Sequence, residues 1–228
     1  MSTQAHPGRI VIDADPGQDD AVAILLALAS PELRVEAITT VAGNVPLALT
    51  TRNACALLEL AGRTDIPVFA GAARPLRRPP ISAEHVHGAT GMDGADLPVP
   101  RLREQGLDAA THLVDLLRSE AAGEITIVCL GPMTNIATAL AHAPDIAPRI
   151  ARIVAMGGAQ REGGNITPTA EFNFYVDPDA AKAVLAAGVP VTLIPLDVTH
   201  RVLATAARLE PISKIGTPAA DMVVRMLG

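Results

Sequence analysis

The stretch Ile10-Val-Ile-Asp-Ala-Asp-Pro-Gly-Gln-Asp-Asp-Ala21 joins an apolar run to a dense group of carboxylates. Its opening residues, Ile10–Ile12, have the continuous aliphatic character of a parallel strand that is covered on both faces. Pro16-Gly17 then predicts a turn, and Asp19 is of a residue type that favours the start of a helix. The stretch therefore predicts a strand, a turn and a helix in direct succession.

The same alternation of strand and helix continues along the chain. Apolar runs typical of buried strands lie at Arg9–Asp13, Val35–Val41, Pro67–Ala70, Ile125–Leu130, Arg152–Met156 and Pro190–Pro195. Helical patterns lie between them at Asp19–Ala29, Leu47–Ala61, Asp108–Ala121, Thr134–Ala141 and Pro178–Ala187. Such repeated units predict an α/β fold with a doubly wound, mostly parallel sheet and helices on both faces. Because no repeat or linker divides the chain, residues 1–228 are predicted to form a single domain.

Composition and charge exclude several classes of protein. Hydrophobic residues make up 49% of the chain, with three Phe, one Tyr and no Trp, so we expect an aliphatic core rather than a disordered chain. The formal net charge of −6 without a basic run argues against a nucleic-acid partner. Cys55 and Cys129 each lie in an apolar run and are expected to be buried free thiols.

The sequence also argues against a membrane partner. Its longest hydrophobic stretch, Ala21–Ala29, is too short to span a membrane. Residues Met1–Gly8 lack the apolar region of a signal peptide. We therefore expect a soluble, cytoplasmic protein.

Four carboxylates, Asp13, Asp15, Asp19 and Asp20, fall within eight residues at the end of the first predicted strand. Turn formation and helix capping account for one or two of them. Like charges this close raise one another's pKa unless a cation offsets them. A hard cation bound by oxygens fits the cluster, and calcium tolerates irregular carboxylate cages best. The cluster therefore predicts a calcium site.

Two connections that follow predicted strands, Gly71–Gly106 and Gly157–Val176, are unusually long. Ligands of doubly wound sheets bind outside the carboxyl ends of the strands. Long loops without secondary structure in a compact domain are usually functional or disordered. Both connections hold His, Asn, Glu or Gly at close spacing, so we expect both to contribute to a binding site.

Further motifs follow the carboxylates in a specific order. They are Ile38-Thr-Thr-Val-Ala-Gly-Asn44, His85-Val-His-Gly88 with Thr90-Gly91-Met92, Leu130-Gly-Pro-Met-Thr-Asn135, Met156-Gly-Gly158, Asn165, Glu171-Phe-Asn173 and Asp177-Pro178. Together with Asp13–Asp20, which matches an Asp-x-Asp-Pro-Gly-x-Asp-Asp signature without a gap, this series resembles the nucleoside hydrolases of the inosine-uridine-preferring type. The resemblance covers nearly the whole chain, and several motifs in the right order are highly specific.

The resemblance implies an activity and a cofactor. The family hydrolyses the N-glycosidic bond of ribonucleosides to ribose and free base, with one tightly held calcium ion and a transition state like an oxocarbenium ion. An anionic pocket is complementary to that developing cation. By resemblance, Asp15, Asp20 and the main-chain carbonyl of Leu130 bind calcium, and Asp15 also acts as general base toward water. The family often has Thr at the Leu130 position, a change that leaves the backbone ligand in place.

The resemblance also assigns residues to the ribose hydroxyls. Asp19 and Asn44 would hold the hydroxyls nearest to the metal, and Asn173 would hold the 3'-hydroxyl. Asn165 and Glu171 would hold the 5'-hydroxyl. Hydrogen bonds to several hydroxyls reject deoxy sugars, because the polar groups of the site are then left unpaired.

Other residues would act around the sugar and the base. Met156 and Phe172 would pack on the sugar, and Asp13 would orient its neighbours from behind them. His87 would face the nucleobase and assist its departure. For His85 beside it, a role at the base and a role within the loop are both open.

One element of the family has no match in this chain. Family members continue well past this point and carry a His-Asp-Pro element, which supplies the last calcium carboxylate and the main acid for the leaving base. No His-Asp-Pro occurs in this sequence, which ends at Gly228. We therefore expect a C-terminally truncated domain, and loss of a general acid removes about two to four orders of magnitude in rate. The ribonucleoside is the expected partner, together with further copies of the chain in a homo-oligomer, either a dimer or a tetramer.

Two other functions stay open on the sequence. Asp-x-Asp phosphohydrolases also place two aspartates after the first strand and use magnesium, but Pro16-Gly17 and Asp19-Asp20 differ from their arrangement. A non-catalytic relic that binds only ribose or calcium is consistent with the unmatched His-Asp-Pro. The choice between purine and pyrimidine nucleosides is also open, because the matched polar residues are assigned to the sugar.

Three further histidines and two methionines are expected to have structural roles. His6, His112 and His142 are expected at the surface, on a tail and on helices. Met222 and Met226 lie on one face of a predicted terminal helix and are expected in the core.

Overall fold

The computed structural model describes residues 7–228, and a six-stranded sheet lies at their centre. The strands are β1 (Gly8–Ala14), β2 (Leu33–Thr40), β3 (Val68–Ala70), β4 (Ile125–Cys129), β5 (Ile150–Met156) and β6 (Val191–Ile194). Every neighbouring pair is parallel. The six predicted strands and the parallel α/β sheet are therefore confirmed, with strand ends that differ by at most two residues.

The helices include those that the sequence predicts and several short ones that it does not. They are α1 (Gln18–Ala29), α2 (Leu47–Leu60), α3 (Glu84–His87), α4 (Ala109–Ser119), α5 (Thr134–His142), α6 (Phe172–Val176), α7 (Pro178–Leu185), α8 (Leu196–Thr199), α9 (Ala206–Ser213) and α10 (Pro218–Leu227), with a 3₁₀ helix at Pro144–Arg149. The two long connections are not free of secondary structure, because α3 lies in the first and α6 in the second. Glu171 begins α6 by accepting hydrogen bonds from two main-chain N–H groups of its first turn.

Two aliphatic layers cover the two faces of the sheet. On one face α4, α5 and α7 contribute Leu113, Ile136 and Val184 to the core. On the other face α1 and α10 contribute Ile24 and Met222. Helices on both faces confirm the doubly wound arrangement, since each layer removes one apolar surface of the sheet from water.

The strands lie in the order β3-β2-β1-β4-β5-β6. The order reverses between β1 and β4, so the connections from these two strands leave in opposite directions and open a crevice at their carboxyl ends. Asp13 of β1 is level with Thr39 of β2 and with Cys129 of β4. The residues that follow these three strands therefore meet at one point of the sheet edge.

Several smaller predictions are also tested by the fold. Met222 and Met226 are buried, and Cys55 and Cys129 are buried free thiols, as predicted. None of the helices within residues 7–228 is long and apolar enough to cross a membrane.

The surface position predicted for His112 is wrong. Its ring stacks on Phe69, with the two centroids 3.6 Å apart. Its Nε2 is buried and has no hydrogen-bond partner among residues 7–228. His142 is exposed, as predicted, and His6 lies outside the described residues.

Candidate active site

Three carboxylates are buried at the carboxyl end of β1. Asp13, Asp15 and Asp20 are at most 4% exposed, whereas Asp19 is exposed to solvent. One oxygen of each buried carboxylate, namely Asp13 Oδ2, Asp15 Oδ1 and Asp20 Oδ1, has no hydrogen-bond partner in the described part of the chain. Buried acceptors without partners are costly, and a bound cation would satisfy these three oxygens.

The other oxygens of these carboxylates are held by neighbouring strands and turns. Asp13 Oδ1 accepts from Thr39 Oγ1 at 2.6 Å and from Asn135 Nδ2 at 2.8 Å. Asp15 Oδ2 accepts from the main-chain N of Asn44 at 2.7 Å. Asp20 Oδ2 accepts from the main-chain N of Gly17 at 3.0 Å and from Asn44 Nδ2 at 3.3 Å. Asn44 therefore fixes Asp15 and Asp20 together.

Two glycines leave the space that the Asp15 carboxylate occupies. A Cβ on Gly43 would lie 2.1 Å from Asp15 Oδ2, and a Cβ on Gly131 would lie 2.3 Å from Asp15 Oδ1. Both distances are far below van der Waals contact. Only glycine at the ends of these two connections allows Asp15 its observed position.

The environment disfavours the charge of these carboxylates. Burial raises the pKa of Asp13 to about 6, against the opposing hydrogen bonds from Thr39 and Asn135. Burial, with the charge of Asp19, raises the pKa of Asp20 to about 7. Burial, with the charge of Asp20, raises the pKa of Asp15 well above its ordinary value. A bound cation would reverse these shifts by stabilising the charged forms.

The donor set of the site fits a hard cation. Asp15 and Asp20 offer free carboxylate oxygens, and Leu130 lines the same pocket. The Leu130 carbonyl oxygen accepts from Asn173 Nδ2 at 2.8 Å, and a carbonyl oxygen has a second lone pair for a cation. Within residues 7–228, no three His, Cys, Asp or Glu side chains form a group that could hold a metal ion. Asp15, Asp20 and the Leu130 carbonyl would supply part of the six to eight oxygen ligands that calcium takes.

One pocket above the carboxylates brings together all the residues that the resemblance assigns to substrate. It has a volume of about 130 Å³ and is lined by Asp19, Asp20, Asn44, His87, Leu130, Met156, Asn165, Glu171, Phe172 and Asn173, together with Ala83, His85, Val86 and Ile166. Asp15 is absent from this lining and is 1% exposed. A larger cavity of about 720 Å³ adjoins at Glu171, but the aspartate cluster does not line it.

The far wall of the pocket is held by Glu171 and Asn165. Glu171 Oε1 accepts from the main-chain N of Asn173 at 2.9 Å, and its Oε2 accepts from the N of Gly158 at 3.0 Å and of Phe174 at 3.2 Å. Burial raises the pKa of Glu171 against these hydrogen bonds. Asn165 Oδ1 accepts from the N of Phe172 at 2.9 Å. This wall is therefore one hydrogen-bonded unit.

His87, on α3, is one of the residues that line the pocket. A Cβ on Gly17 would lie 2.9 Å from His87 Nδ1, so the ring packs against the turn that follows β1. Burial lowers the pKa of His87, although the charge of Asp19 opposes that effect. At neutral pH a neutral imidazole can donate a hydrogen bond to a nucleobase through its one N–H group. It lacks the additional proton with which an imidazolium could act as a general acid.

Sequence reasoning missed two residues that support the site. Thr39 and Asn135 are both buried and both donate to Asp13. Asn135 Nδ2 also donates to the carbonyl of Thr40 at 3.0 Å, and its Oδ1 accepts from the N of Ala72 at 2.8 Å. A single Asn thus joins the ends of β1, β2 and β3. The position of Asn135 at the end of the motif 130–135 is the feature of the sequence that could have indicated its role.

Comparison with known proteins places this arrangement in a family. The sequence profile described as inosine-uridine preferring nucleoside hydrolase matches residues 10–228. The pyrimidine-specific ribonucleoside hydrolase RihA of Salmonella paratyphi B is 49% identical over 218 residues, which cover 96% of this chain and 70% of that protein.

Two solved structures share the fold over almost the whole chain. A purine-preferring ribonucleoside hydrolase from Gardnerella vaginalis has a TM-score of 0.91 at 33% identity, covering 96% of this chain and 70% of that one. A plant nucleoside hydrolase has a TM-score of 0.90 at 40% identity, covering 96% of this chain and 69% of that one. The chain therefore belongs to the inosine-uridine preferring nucleoside hydrolase family, whose members are enzymes of the glycosidase type that hydrolyse ribonucleosides.

Proposed function

We propose that this chain hydrolyses the N-glycosidic bond of ribonucleosides with the assistance of calcium. The observation that carries the proposal is the position of two buried carboxylates that each have an oxygen without a partner in the described part of the chain. Asp20 lines a pocket of amide and carboxylate groups, and Asp15 accepts from the main-chain N of Asn44, which lines the same pocket. Such an anionic floor is complementary to a ribosyl group that becomes cationic as its bond to the base breaks.

Calcium would be held by Asp15, Asp20 and the Leu130 carbonyl. The support is the pair of unpartnered buried oxygens and the raised pKa of both carboxylates, which a divalent cation would lower. When bound, calcium would orient water and sugar hydroxyls and increase the acidity of that water. Oxygen donors and a loose coordination number favour calcium over magnesium, which demands a tighter octahedron.

Asp15 would act as the general base. Its Oδ2 is held by the main-chain N–H of Asn44. Each carboxylate oxygen has about two lone pairs, so Oδ1 could bind calcium with one and accept a proton from the attacking water with the other. The close approach of Gly43 and Gly131 leaves the carboxylate one position. A base that is already oriented lowers the entropic cost of proton transfer from the attacking water.

The remaining pocket residues would bind the sugar and admit the base. Asp19 and Asn44 would hold the hydroxyls near the cation, and Asn173 the 3'-hydroxyl. Glu171 and Asn165 would hold the 5'-hydroxyl.

Met156 and Phe172 would pack on the sugar, and Asp13 would support the cluster from the sheet side. His87, which lines the pocket, would contact the nucleobase and donate a hydrogen bond to it. Relatives are named for pyrimidine and for purine preference, so both bases are candidates.

Asp15→Asn tests the proposal. The substitution is close in shape, but an amide accepts no proton from water at neutral pH. We expect kcat for ribose release from inosine and uridine to fall by about 10²–10⁴-fold, the typical contribution of a general base. Asp221→Asn, at an exposed carboxylate of α10, is the matched control and should retain full activity.

The alternatives give different results in the same assays. A magnesium-dependent phosphohydrolase would release phosphate from a phosphomonoester, and a relic would bind calcium or ribose without releasing ribose from any nucleoside. Near-normal turnover by Asp15→Asn would contradict its role as base.

We also propose a single domain that forms a homo-oligomer in the cytoplasm. The continuous sheet and the two core layers that cover it support one folding unit. A single cooperative unfolding transition and a sedimentation mass of two or four chains are the expected measurements.

A further inference from the structure

A half-buried carboxylate outside the pocket, that of Asp197, holds the loop that carries Asn165. Asp197 lies in α8, directly after β6. Its Oδ2 accepts from the main-chain N of Gln160 at 2.8 Å. Its Oδ1 accepts from the main-chain N of Arg161 at 2.8 Å and of Glu162 at 3.3 Å.

Three successive main-chain N–H groups that point at one anion form an anion-binding concavity. Here the anion is the side chain of Asp197 itself. Hydrogen bonds to an ionised acceptor are about twice as strong as neutral ones. They also lower the pKa of Asp197, with the bond from Gln160 as the largest cause. The loop and α8 are therefore fastened by charge-assisted bonds at residues 160–162.

Two further bonds fix the same loop to the end of β6. The main-chain N of Gly157 donates to the carbonyl of Ile194 at 3.2 Å, and the N of Leu196 donates to the carbonyl of Gly158 at 3.0 Å. Leu196 is 3% exposed, so it anchors α8 in the core. Asp197 is thus attached to a fixed support and not to a mobile segment.

The fastened residues lead directly to the pocket. Only residues 163 and 164 separate Glu162 from Asn165, and the main-chain N of Asn165 donates to the carbonyl of Ala170 at 3.1 Å. At the other side of the turn, the N of Gly158 donates to Glu171 Oε2. The loop 157–171 is therefore held at its first half by Asp197 and at its end by Glu171.

We infer that Asp197 is a positioning residue for sugar recognition, which holds the loop 157–171 so that Asn165 lies where it contacts the 5' end of a ribonucleoside. This inference rests on the proposed role of Asn165 and Glu171 at the 5'-hydroxyl. Without the Asp197 carboxylate, the main-chain N–H groups of residues 160–162 would donate to water instead. The loop would keep its hydrogen bonds to the end of β6, but the position of Asn165 would no longer be fixed.

The test compares ligands with and without the 5'-hydroxyl. Dissociation constants of uridine, inosine and their 5'-deoxy analogues are measured by calorimetry at saturating calcium in the Asp15→Asn background, where turnover is suppressed. Asp197→Ala should weaken binding of both nucleosides about tenfold, as for loss of one hydrogen bond in a site, and should leave the 5'-deoxy analogues within about twofold. Asp197→Asn, which keeps one acceptor oxygen, should lie between these results.

A second measurement and a matched control address loss of structure. Hydrogen exchange of the amides at residues 160–167 should accelerate in Asp197→Ala, while amides of the β-sheet should not change. Glu162→Ala removes a carboxylate of the same loop that lies 3.8 Å from His200 Nδ1 but keeps the main-chain donor to Asp197. It should change neither binding nor exchange.

The outcomes separate the two claims. If the Asp15→Asn protein binds each nucleoside no better than its 5'-deoxy analogue, the 5'-hydroxyl assignment is wrong, and the role of Asp197 is overturned with it. If that preference exists and Asp197→Ala leaves it unchanged, or weakens all four ligands equally, only the positioning role is overturned.

Discussion

Asn173 connects the sugar pocket to the cation site through one side chain. Its Nδ2 donates to the Leu130 carbonyl at 2.8 Å and to the Met156 carbonyl at 3.3 Å. It is buried, with 8% exposure, and it lines the pocket. A residue in this position can align the sugar with the carbonyl that would hold calcium.

Asn173→Ala should therefore weaken ribonucleoside binding by about 1–3 kcal/mol, the range for a buried partner left unsatisfied. The same change should have a much smaller effect on a 3'-deoxyribonucleoside, which lacks the hydroxyl assigned to Asn173. Calorimetric dissociation constants for both ligands check this, with Thr169→Ala at an exposed position of the neighbouring loop as control. Equal losses for both ligands would show that Asn173 does not read the 3'-hydroxyl.

At this scale the sequence predicts residues that act near one another along the chain. Asp13, Asp15 and Asp20 occupy one short segment, and a dense carboxylate group is visible without a structure. Thr39 and Asn135 donate to Asp13 from 26 and 122 residues away. A lone buried Asn or Thr has no pattern in sequence that distinguishes such a role from ordinary packing, so these partners could not be predicted.

Among the elements, the connection after β4 shows how a short backbone segment sets the position of a catalytic side chain. Gly131→Ala would place a Cβ 2.3 Å from Asp15 Oδ1 and 3.1 Å from the Asp15 main-chain N. Because that space is already occupied, we expect Asp15 to move and kcat/KM to fall by about 10²-fold, as for a misplacement of roughly 1 Å.

The control for this substitution is Gly106→Ala, where a Cβ would have no atom within 4 Å. Circular dichroism should show that both variants keep their secondary structure. Full activity of Gly131→Ala would mean that Asp15 is not held by the glycines on either side of it.

Within residues 7–228, helix α4 carries a histidine, His112, whose burial the sequence did not reveal. Burial lowers the pKa of His112, with the charge of Asp115 opposing the shift. In the unfolded chain His112 takes up a proton near its ordinary pKa of 6.5, so its contribution to stability is present above that pH and is lost as the pH falls through it. His112→Phe, which keeps an aromatic ring against Phe69, should therefore lose less unfolding free energy than wild type between pH 7.5 and 5.

Urea unfolding at several pH values measures that difference. His142→Phe, at an exposed histidine, should show the same pH dependence as wild type. A constant difference between wild type and His112→Phe across the range would contradict the assignment.

Elements with periodic patterns were predictable and short ones were not. The five predicted helices each extend over two turns or more, which is enough to show an apolar face. By contrast α3 has four residues and α6 has five, so neither extends over the two turns that would show a repeated apolar face. Contacts from outside these helices also fix where they begin: the main-chain N of Ala83 donates to the carbonyl of Asn44, and the N of Gly158 donates to Glu171 Oε2.

At the scale of the whole molecule, alternation of strands and helices predicted a parallel sheet but not which strands are neighbours. The order β3-β2-β1-β4-β5-β6 determines that Asp13–Asp20 and Leu130 face the same crevice. That order depends on which apolar surfaces cover one another, and the two cores mix residues from both halves of the chain. The periodicity of the sequence therefore could not predict that these segments lie together, whereas the resemblance to the family did predict it.

The carboxylate cluster links calcium binding to the stability of the whole domain. Asp13, Asp15 and Asp20 have raised pKa values in the folded protein, with about 6 for Asp13 and about 7 for Asp20. Their favourable contribution without metal is complete below the unfolded pKa of about 4 and is lost as the pH rises through these folded values. Metal-free protein therefore loses stability from this cluster between about pH 4 and pH 7.

Calcium should restore what the ionised cluster loses, because a ligand of the folded state stabilises it by mass action. At pH 5.5 calcium must displace protons, whereas at pH 8 the carboxylates already carry their charges. We expect the calcium-induced rise in unfolding temperature, measured against chelator-treated protein, to be larger at pH 8 than at pH 5.5. Taking the difference at each pH cancels the contribution of His112, which has the opposite sign. Asp20→Asn should reduce the rise in unfolding temperature that calcium causes at pH 8, and magnesium should cause a smaller rise than calcium. An equal rise at pH 8 and pH 5.5 would show that these carboxylates do not bind the cation.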